Sequence, residues 1–395
     1  MSGGLSGAAV RTVLRRLEAG RVEIVDRGRR IAFGPPVADL RATVTVNDPA
    51  AWRGPLHGSL GLGEAYVDGA WDTDDLVALI RIAARELRDL DGLRGAVARP
   101  RGLLHRLARA VPASTRTKAR ENISAHYDLG NGLFASFLDE RMMYSCAYFP
   151  EPGASLEQAQ LAKLERICER LQLGPDTHLL EIGTGWGGLA VHAATTRGCR
   201  VTTTTISHEQ HELAQRRVRE AGLEDRVTVL LSDYRDLAGS YDRLVSIEMI
   251  EAVGWRDFDL FFRRCSQLLE PDGLMLLQAI TIDDRLYEAE KGMRSFANVH
   301  VFPGGCLPSN RLIADCLARS TDMRQVWAED ITAHYPPTLA AWRQRFHVAW
   351  DRLRQQGYDE RFRRFWDFYL CSSEAGFRER RIGDVQALFA KPRWP

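Results

Sequence analysis

A doubly wound, mostly parallel α/β sheet preceded by a small α+β module is the fold this sequence predicts, and three observations predict it. From about residue 121 onward, apolar strand-like runs alternate with helical ones. The first of those runs, HLLEIG (178–183), opens directly into a glycine-rich turn. Residues 1–92, by contrast, carry short strand-like runs close together among helical ones. Strands separated by helices imply parallel pairing with right-handed crossovers, whereas closely spaced alternating runs imply hairpins.

In chain order, VEIVDRGRRIAFG (22–34) reads as a hairpin around Asp26-Arg27-Gly28, and LRATVTVND (40–48) as a strand with period-two alternation. LGLGEAYVDGAWDTDDLVALIRIAARE (60–86) begins as a turn and becomes an amphipathic helix. Residues 93–120 hold Arg94, Arg99, Arg101, Arg106, Arg109, Arg116, Lys118 and Arg120 without an Asp or Glu, with Leu103, Leu104, Leu107 and Val111 at helical spacing. This basic linker reads either as a solvated connection or as a face for anionic headgroups, where each cation contributes about 1 kcal/mol. LAKLERICERL (161–171) is a helix ended by Gly174-Pro175. Strands follow at 200–206, 226–233, 241–249 and 274–282, with a helix over HEQHELAQRRVREAG. The expected division is therefore 1–92, a 93–120 linker, and a catalytic domain over 121–395.

The composition narrows the classes of partner. With 45% hydrophobic and 27% charged residues, the chain has the balance of a globular protein, and 395 residues are enough for a main domain and a companion. A net charge of +1 gives no global reason to expect nucleic acid. The seven cysteines form no CxxC pair and no zinc-type cluster with histidine, so we expect reduced thiols, no metal and a cytoplasmic setting. The N-terminal MSGGLSGAAVRTVLRRL lacks the apolar run of a signal peptide, and no stretch approaches the ~18 apolar residues of a membrane span. A lipid substrate would be reached from the membrane surface.

LLEIGTGWGGLA (179–190) carries the strongest local signal. Glu181 sits near the end of a buried strand, and Gly183, Gly185, Gly187 and Gly188 lead into a helix. Glycine permits both the tight turn and the close approach of a ligand, at the strand end where open α/β sheets bind one. Three details argue against a dinucleotide. An acid precedes the first glycine; the second strand ends in Thr204-Thr205-Ile206-Ser207, not in a ribose-binding acid; and the third ends in Asp233-Tyr234, a carboxylate and a ring suited to adenine. Together they favour the class I methyltransferase, Rossmann-like plan, with S-adenosyl-L-methionine as cofactor.

From Leu60 to the C-terminus the sequence resembles the cyclopropane-fatty-acid synthase family, which includes mycolic acid cyclopropane synthases and related lipid methyltransferases. The resemblance rests on GLGEAYVDGAWDTDDL (61–76), AHYDLGNGLFASFLDERMMYSCAYF (125–149), AQLAKLERICERLQL (159–173), LEIGTGWGGLA (180–190), TISHEQ (205–210), SDYRDL (232–237), EMIEAVG (248–254) and VFPGGCLPS (301–309). It implies a small lipid-contacting N-terminal domain and cofactor contacts from Tyr127, Tyr144, Ser145, Gly183, Gly185, Thr205, Gln210, Asp233 and Tyr234. Glu181 and Gly187 join that set from the turn itself. Thr205 and Gln210 would take the ribose hydroxyls.

The resemblance further implies methyl transfer to the cis double bond of an unsaturated phospholipid acyl chain, giving a carbocation that a bound bicarbonate deprotonates to a cyclopropane. Cys146 through its backbone, Glu251, Gln278, Tyr335 and the Ile280 backbone match the positions that hold the ion. Gln278 stands where the family has His, and Ala252 where many members have a second His. A glutamine donates hydrogen bonds but carries no proton, so a fatty acyl methyltransferase giving a methylene- or methyl-branched chain stays open, as does a non-catalytic lipid- and cofactor-binding protein. The family's habits also point to a homodimer, and the N-terminal module with its basic linker to peripheral association with the inner face of the membrane.

Overall fold

The structure, a computed structural model, describes residues 4–97 and 130–395, with the backbone alone over 87–97. The described residues form two compact units, one built from 4–97, 292–301 and 342–381, the other from 130–291, 302–341 and 382–395. The basic linker beyond Val97 and Tyr127 lie outside the described residues.

The first unit is built on a four-stranded sheet. Its strands β1 (Arg21–Asp26), β2 (Arg29–Phe33), β3 (Arg41–Val46) and β4 (Trp71–Thr73) lie in the order β2-β1-β3-β4. The expected hairpin is present: β1 and β2 pair antiparallel, and Arg27 and Gly28 both have positive φ, 53° and 78°. Two left-handed residues in sequence match the right-handed twist of flanking strands. Val22, Ile24, Phe33, Leu40, Trp52, Ala78 and Ile82 form the core of this sheet and its helix.

The observed division differs from the expected one. Residues 292–301 and 342–381 were placed in the catalytic domain, but they complete the first unit. The cause is the helix Glu360–Arg378, which packs on the helices Gly58–Val67 and Leu76–Val97. Phe368 lies 4.7 Å from Phe296 and 5.8 Å from Tyr66, ring to ring. The Arg364 guanidinium covers the Tyr66 ring at 4.1 Å and donates to the carbonyls of Tyr66 and Trp71. Arg81 and Arg85 both hold Glu379.

The second unit carries seven strands: β5 (His178–Ile182), β6 (Arg200–Thr205), β7 (Val227–Leu231), β8 (Tyr241–Ile247), β9 (Leu269–Ile282), β10 (Arg324–Asp330) and β11 (Ile382–Ala390). Their order is β10-β11-β9-β8-β5-β6-β7. β5 to β9 run parallel, and β11 is antiparallel to both of its neighbours. All five parallel strands fall where the sequence placed them. β10 and β11 were not expected: β10 is largely polar, and Asp384 and Gln386 break the apolar run of β11.

Side chains alternate across this sheet, as the pleat requires. Met275, Leu277 and Ala279 enter one apolar layer with Phe258, Phe261, Phe262 and Ile313. Leu274 and Leu276 enter the other, with Leu164, Ile167, Leu189 and Ala193. Next on that second face come Gln278 and Ile280, which the register sets opposite Gln386 and Asp384 of β11. The apolar layer thus gives way to a buried polar one towards the carboxyl end of β9. Above it runs the helix Leu156–Arg170, begun by a Ser155/Gln158 capping box and carrying the buried Lys163 inward. Among the described residues no helix is long and apolar enough to cross a membrane.

Candidate active site

Strand order reverses between β5 and β8, so the crevice beyond their carboxyl ends is the natural ligand site. The glycine turn lies there. Gly183, Gly185 and Gly187 have φ of 104°, 51° and 86°, a region that side chains rarely tolerate. A Cβ on Gly185 would meet nothing within 4 Å, while one on Gly183 would stand 3.1 Å from Met249 Cγ. The turn is therefore open at Gly185 and lies close against the loop that follows β8.

The expected cofactor residues gather around this turn. Thr205, ending β6, donates to Gln210 Oε1 at 2.8 Å, and Ser207 caps the helix His208–Glu220 that carries Gln210. Asp233 follows β7, and both of its oxygens are held by the Arg235 guanidinium at 2.8 and 2.6 Å. The Arg235 backbone N–H also donates to Asp233 Oδ1, at 2.9 Å, so the carboxylate has a fixed orientation at the strand end. Tyr234 packs edge-on against Phe261 at 5.5 Å, and Tyr144 against Phe134 at 5.3 Å. Ser145 Oγ accepts from Lys163 Nζ at 2.6 Å. Glu181 is buried within the sheet and accepts from Thr203 at 2.6 Å, and burial pushes it up to about 8. It ties β5 to β6 beneath the turn.

The residues expected to hold an anion also converge, but on a residue that sequence reasoning passed over. Glu248, the first residue after β8, receives the Cys146 backbone N–H at 2.8 Å and the Gln278 amide at 2.7 Å on one oxygen. The Tyr335 hydroxyl donates to its other oxygen at 2.5 Å. The fourth expected donor, the Ile280 N–H, goes to Glu251 at 2.5 Å. All four donors thus end on carboxyl groups of the chain, and a third acid, Asp384, stands 3.2 Å from the Gln278 amide. Bicarbonate does not fit this set: its donors are engaged, and it would enter among three carboxyls. The expected role of Glu251 as one of the ion's ligands changes with it.

Burial acts on two of these acids. Glu251 Oε2 is out of solvent without a partner, and burial followed by the charge of Glu248 pushes Glu251 up to about 8. Asp384, also with an unpartnered oxygen, is driven well above the usual carboxyl range by burial and by Glu248. Glu251 therefore holds its proton at neutral pH, and burial pushes Asp384 in the same direction. Burial lowers Lys163, the cation of the cluster, and raises the Cys146 thiol, so Cys146 acts through its backbone as expected and not as a thiolate.

The scaffold leaves these groups little freedom. Gln278 donates to Glu248 and accepts from Gln386 at 3.0 Å, which fixes its amide orientation. The Ala147 N–H donates to Thr338, and the Phe149 N–H to His334 Nδ1. Tyr335 opens the helix Tyr335–Val348, where Pro336 and Pro337 occupy first-turn positions that need no donor. Glu248, Asp384, Gln386, Lys163 and Thr338 were not named from sequence. The one available signal was the spacing in EMIEAVG, which sets Glu248 one helical turn before Glu251.

A glycine turn at the switch point of this sheet, with a hydroxyl and an amide paired at the next strand end, defines the S-adenosylmethionine-dependent methyltransferases. Residues 114–387 match the family model for mycolic acid cyclopropane synthetase. The chain is 41% identical over 338 residues to tuberculostearic acid methyltransferase UfaA1 of Mycobacterium tuberculosis, covering 84% of this chain and 78% of that protein. It is 39% identical over 372 residues to the cyclopropane-fatty-acyl-phospholipid synthase of Escherichia coli, covering 93% and 92%. Mycolic acid cyclopropane synthase CmaA1, solved with SAH and CTAB, superposes with a TM-score of 0.65 at 30% identity, over 69% of this chain and 98% of that one. The chain belongs to the mycolic acid cyclopropane synthase family and is an S-adenosylmethionine-dependent methyltransferase.

Proposed function

We propose that the enzyme methylates the cis double bond of an unsaturated acyl chain in a membrane phospholipid and closes it to a cyclopropane. The observation that carries this reading is the Glu248 carboxylate, held on both oxygens beside the glycine turn. S-adenosylmethionine supplies an electrophilic methyl group when bound, with Thr205, Gln210, Asp233 and the glycine turn as its seat. An isolated alkene is a weak nucleophile, so the site must hold it in line and keep water from the resulting cation. Aromatic rings near the cation would stabilise it, and Tyr144 and Tyr335 are the candidates for that role. The chain's donors are aimed where the family resemblance places the proton acceptor. A base in that place takes its proton from the new methyl group, and ring closure follows.

The first unit and the basic linker would serve docking at the inner face of the membrane. Leu5 and Val13 are 93% and 69% exposed on the helix Gly4–Leu14, and exposed Arg15 and Arg16 follow at once, a pairing suited to anionic headgroups.

A second reading has one specific support. Gln278 occupies the position where the family has His, and the 41%-identical relative is named a tuberculostearic acid methyltransferase. A shifted base would take the proton from a neighbouring carbon and leave a branched alkene. The test is a product assay with S-adenosylmethionine and vesicles of a cis-monounsaturated phospholipid. The fatty esters are weighed by mass spectrometry before and after alkene derivatisation. We expect a gain of CH₂ and resistance to derivatisation. A CH₂-enriched product that still reacts as an alkene selects the second reading. Cofactor binding without any mass gain removes both and leaves a non-catalytic lipid-binding protein.

A further inference from the structure

We propose that Glu248 is the base of the reaction, a carboxylate built into the chain in the place of a bound bicarbonate, so that turnover needs no dissolved carbon dioxide. The proposal rests on the lipid C-methylation reading above and adds to it the identity of the proton acceptor.

Two independent observations carry it. First, the Cys146 N–H, the Gln278 amide and the Tyr335 hydroxyl converge on the two oxygens of one side chain, as they would on a small oxyanion. Second, Glu248 has φ 47°, in the left-handed region. A residue with a Cβ is strained there, and glycine carries no such penalty. The chain nevertheless places a glutamate at this point, pinned by its own N–H to the Gln278 carbonyl at 2.8 Å. Strain of this kind persists where the side chain has a task that nearby structure enforces.

The location suits the chemistry. Glu248 leaves β8 at the carboxyl edge of the sheet, next to Met249, which the Gly183 turn approaches. It is half-buried, unlike the enclosed Gln278 and Asp384, so an acyl chain has access to it. The balance is simple. The alkene π pair forms a bond to the methyl carbon while the carbon–sulfur bond breaks towards sulfur, giving a neutral sulfide and a cation on the other alkene carbon. Glu248 then takes one proton from the new methyl group, and the freed C–H pair becomes the third ring bond. No oxidant or reductant is needed, and one proton is released from Glu248 to solvent per turnover.

The test uses the full chain as wild type, Glu248→Gln and Glu248→Gly. Glycine relieves the left-handed backbone, so the second variant should fold and also open the cradle. Two readouts are taken: turnover on cis-unsaturated phospholipid vesicles in buffer stripped of carbon dioxide, and binding of ¹³C-labelled bicarbonate by NMR. We expect the wild type to turn over unchanged without carbon dioxide and to bind no bicarbonate. Glu248→Gln should lose at least 100-fold in turnover with its S-adenosylmethionine affinity intact. Glu248→Gly should bind bicarbonate and recover turnover when bicarbonate or formate is added. A wild type that stalls without carbon dioxide and recovers on adding bicarbonate overturns the proposal, as does a fully active Glu248→Gln. If no lipid gains mass with any of the three proteins, the lipid reading fails by itself. The bicarbonate-binding contrast between wild type and Glu248→Gly then still decides what occupies the cradle.

Discussion

Replacing Glu251 by Gln should make the protein more stable, and increasingly so as pH rises. In the folded state this carboxyl is pushed up to about 8, against 4.5 for the unperturbed group. Between those values the folded protein keeps a proton that the unfolded chain has lost, so wild-type stability falls as pH rises through that window. At about 1.4 kcal/mol per pH unit, the loss from pH 5 to pH 8 comes to roughly 3.5 kcal/mol. Glutamine retains the acceptor for the Ile280 N–H and has nothing to ionise, so this slope should vanish. For a chain of this length, an unfolding entropy near 2 cal/mol/K per residue converts that difference into about 4 °C in Tm. Thermal melts of both proteins at pH 5 and pH 8 read it directly. The two should melt alike at pH 5, with the variant higher at pH 8. Parallel pH dependence in wild type and variant would mean that Glu251 is ionised and hydrated in the folded state, and the protonation assignment of the acid cluster would fall.

Two further outcomes follow from the site. Tyr335→Phe removes the 2.5 Å bond to Glu248, so kcat should fall about 10–100-fold while S-adenosylmethionine affinity, measured by calorimetry, stays the same. Thr205→Val keeps the shape of the β6 terminus but removes its hydroxyl, so KM for S-adenosylmethionine should rise about tenfold with kcat nearly unchanged, the loss of one hydrogen bond.

The five parallel strands were legible because each is a short apolar run bounded by a turn, and burial on both faces demands such runs. β11 was not, since it trades that signal for a site: Asp384 and Gln386 face Ile280 and Gln278 across the ladder, and their purpose shows only once the strands are paired. The same applies to Lys163, whose neighbours in sequence suggest an ordinary amphipathic helix. Cys146, Gln278, Ile280 and Tyr335 were identified through resemblance, and the structure joins them to two carboxyl groups. What the resemblance did not supply was Glu248, because a motif match transfers a residue's position but not which of two nearby glutamates receives the Cys146, Gln278 and Tyr335 donors. Local geometry decides that: at φ 47° the chain swings the Glu248 side chain towards Cys146, and the Cys306 N–H braces the carbonyl of Glu251 from the FPGGCLPS segment.

The first unit takes its final helix from Glu360–Arg378, far along the chain from its sheet. During synthesis its strands emerge early and must then wait. At roughly 5–20 residues per second, ribosomes need tens of seconds to travel from Val97 to Arg378. Through that interval the helices Gly58–Val67 and Leu76–Val97 lack the helix that packs on them. The nascent chain is then most exposed to proteases and to chaperones. A fragment ending near residue 120 would remain in that condition permanently, so a lipid-docking assay of this unit requires the intact polypeptide.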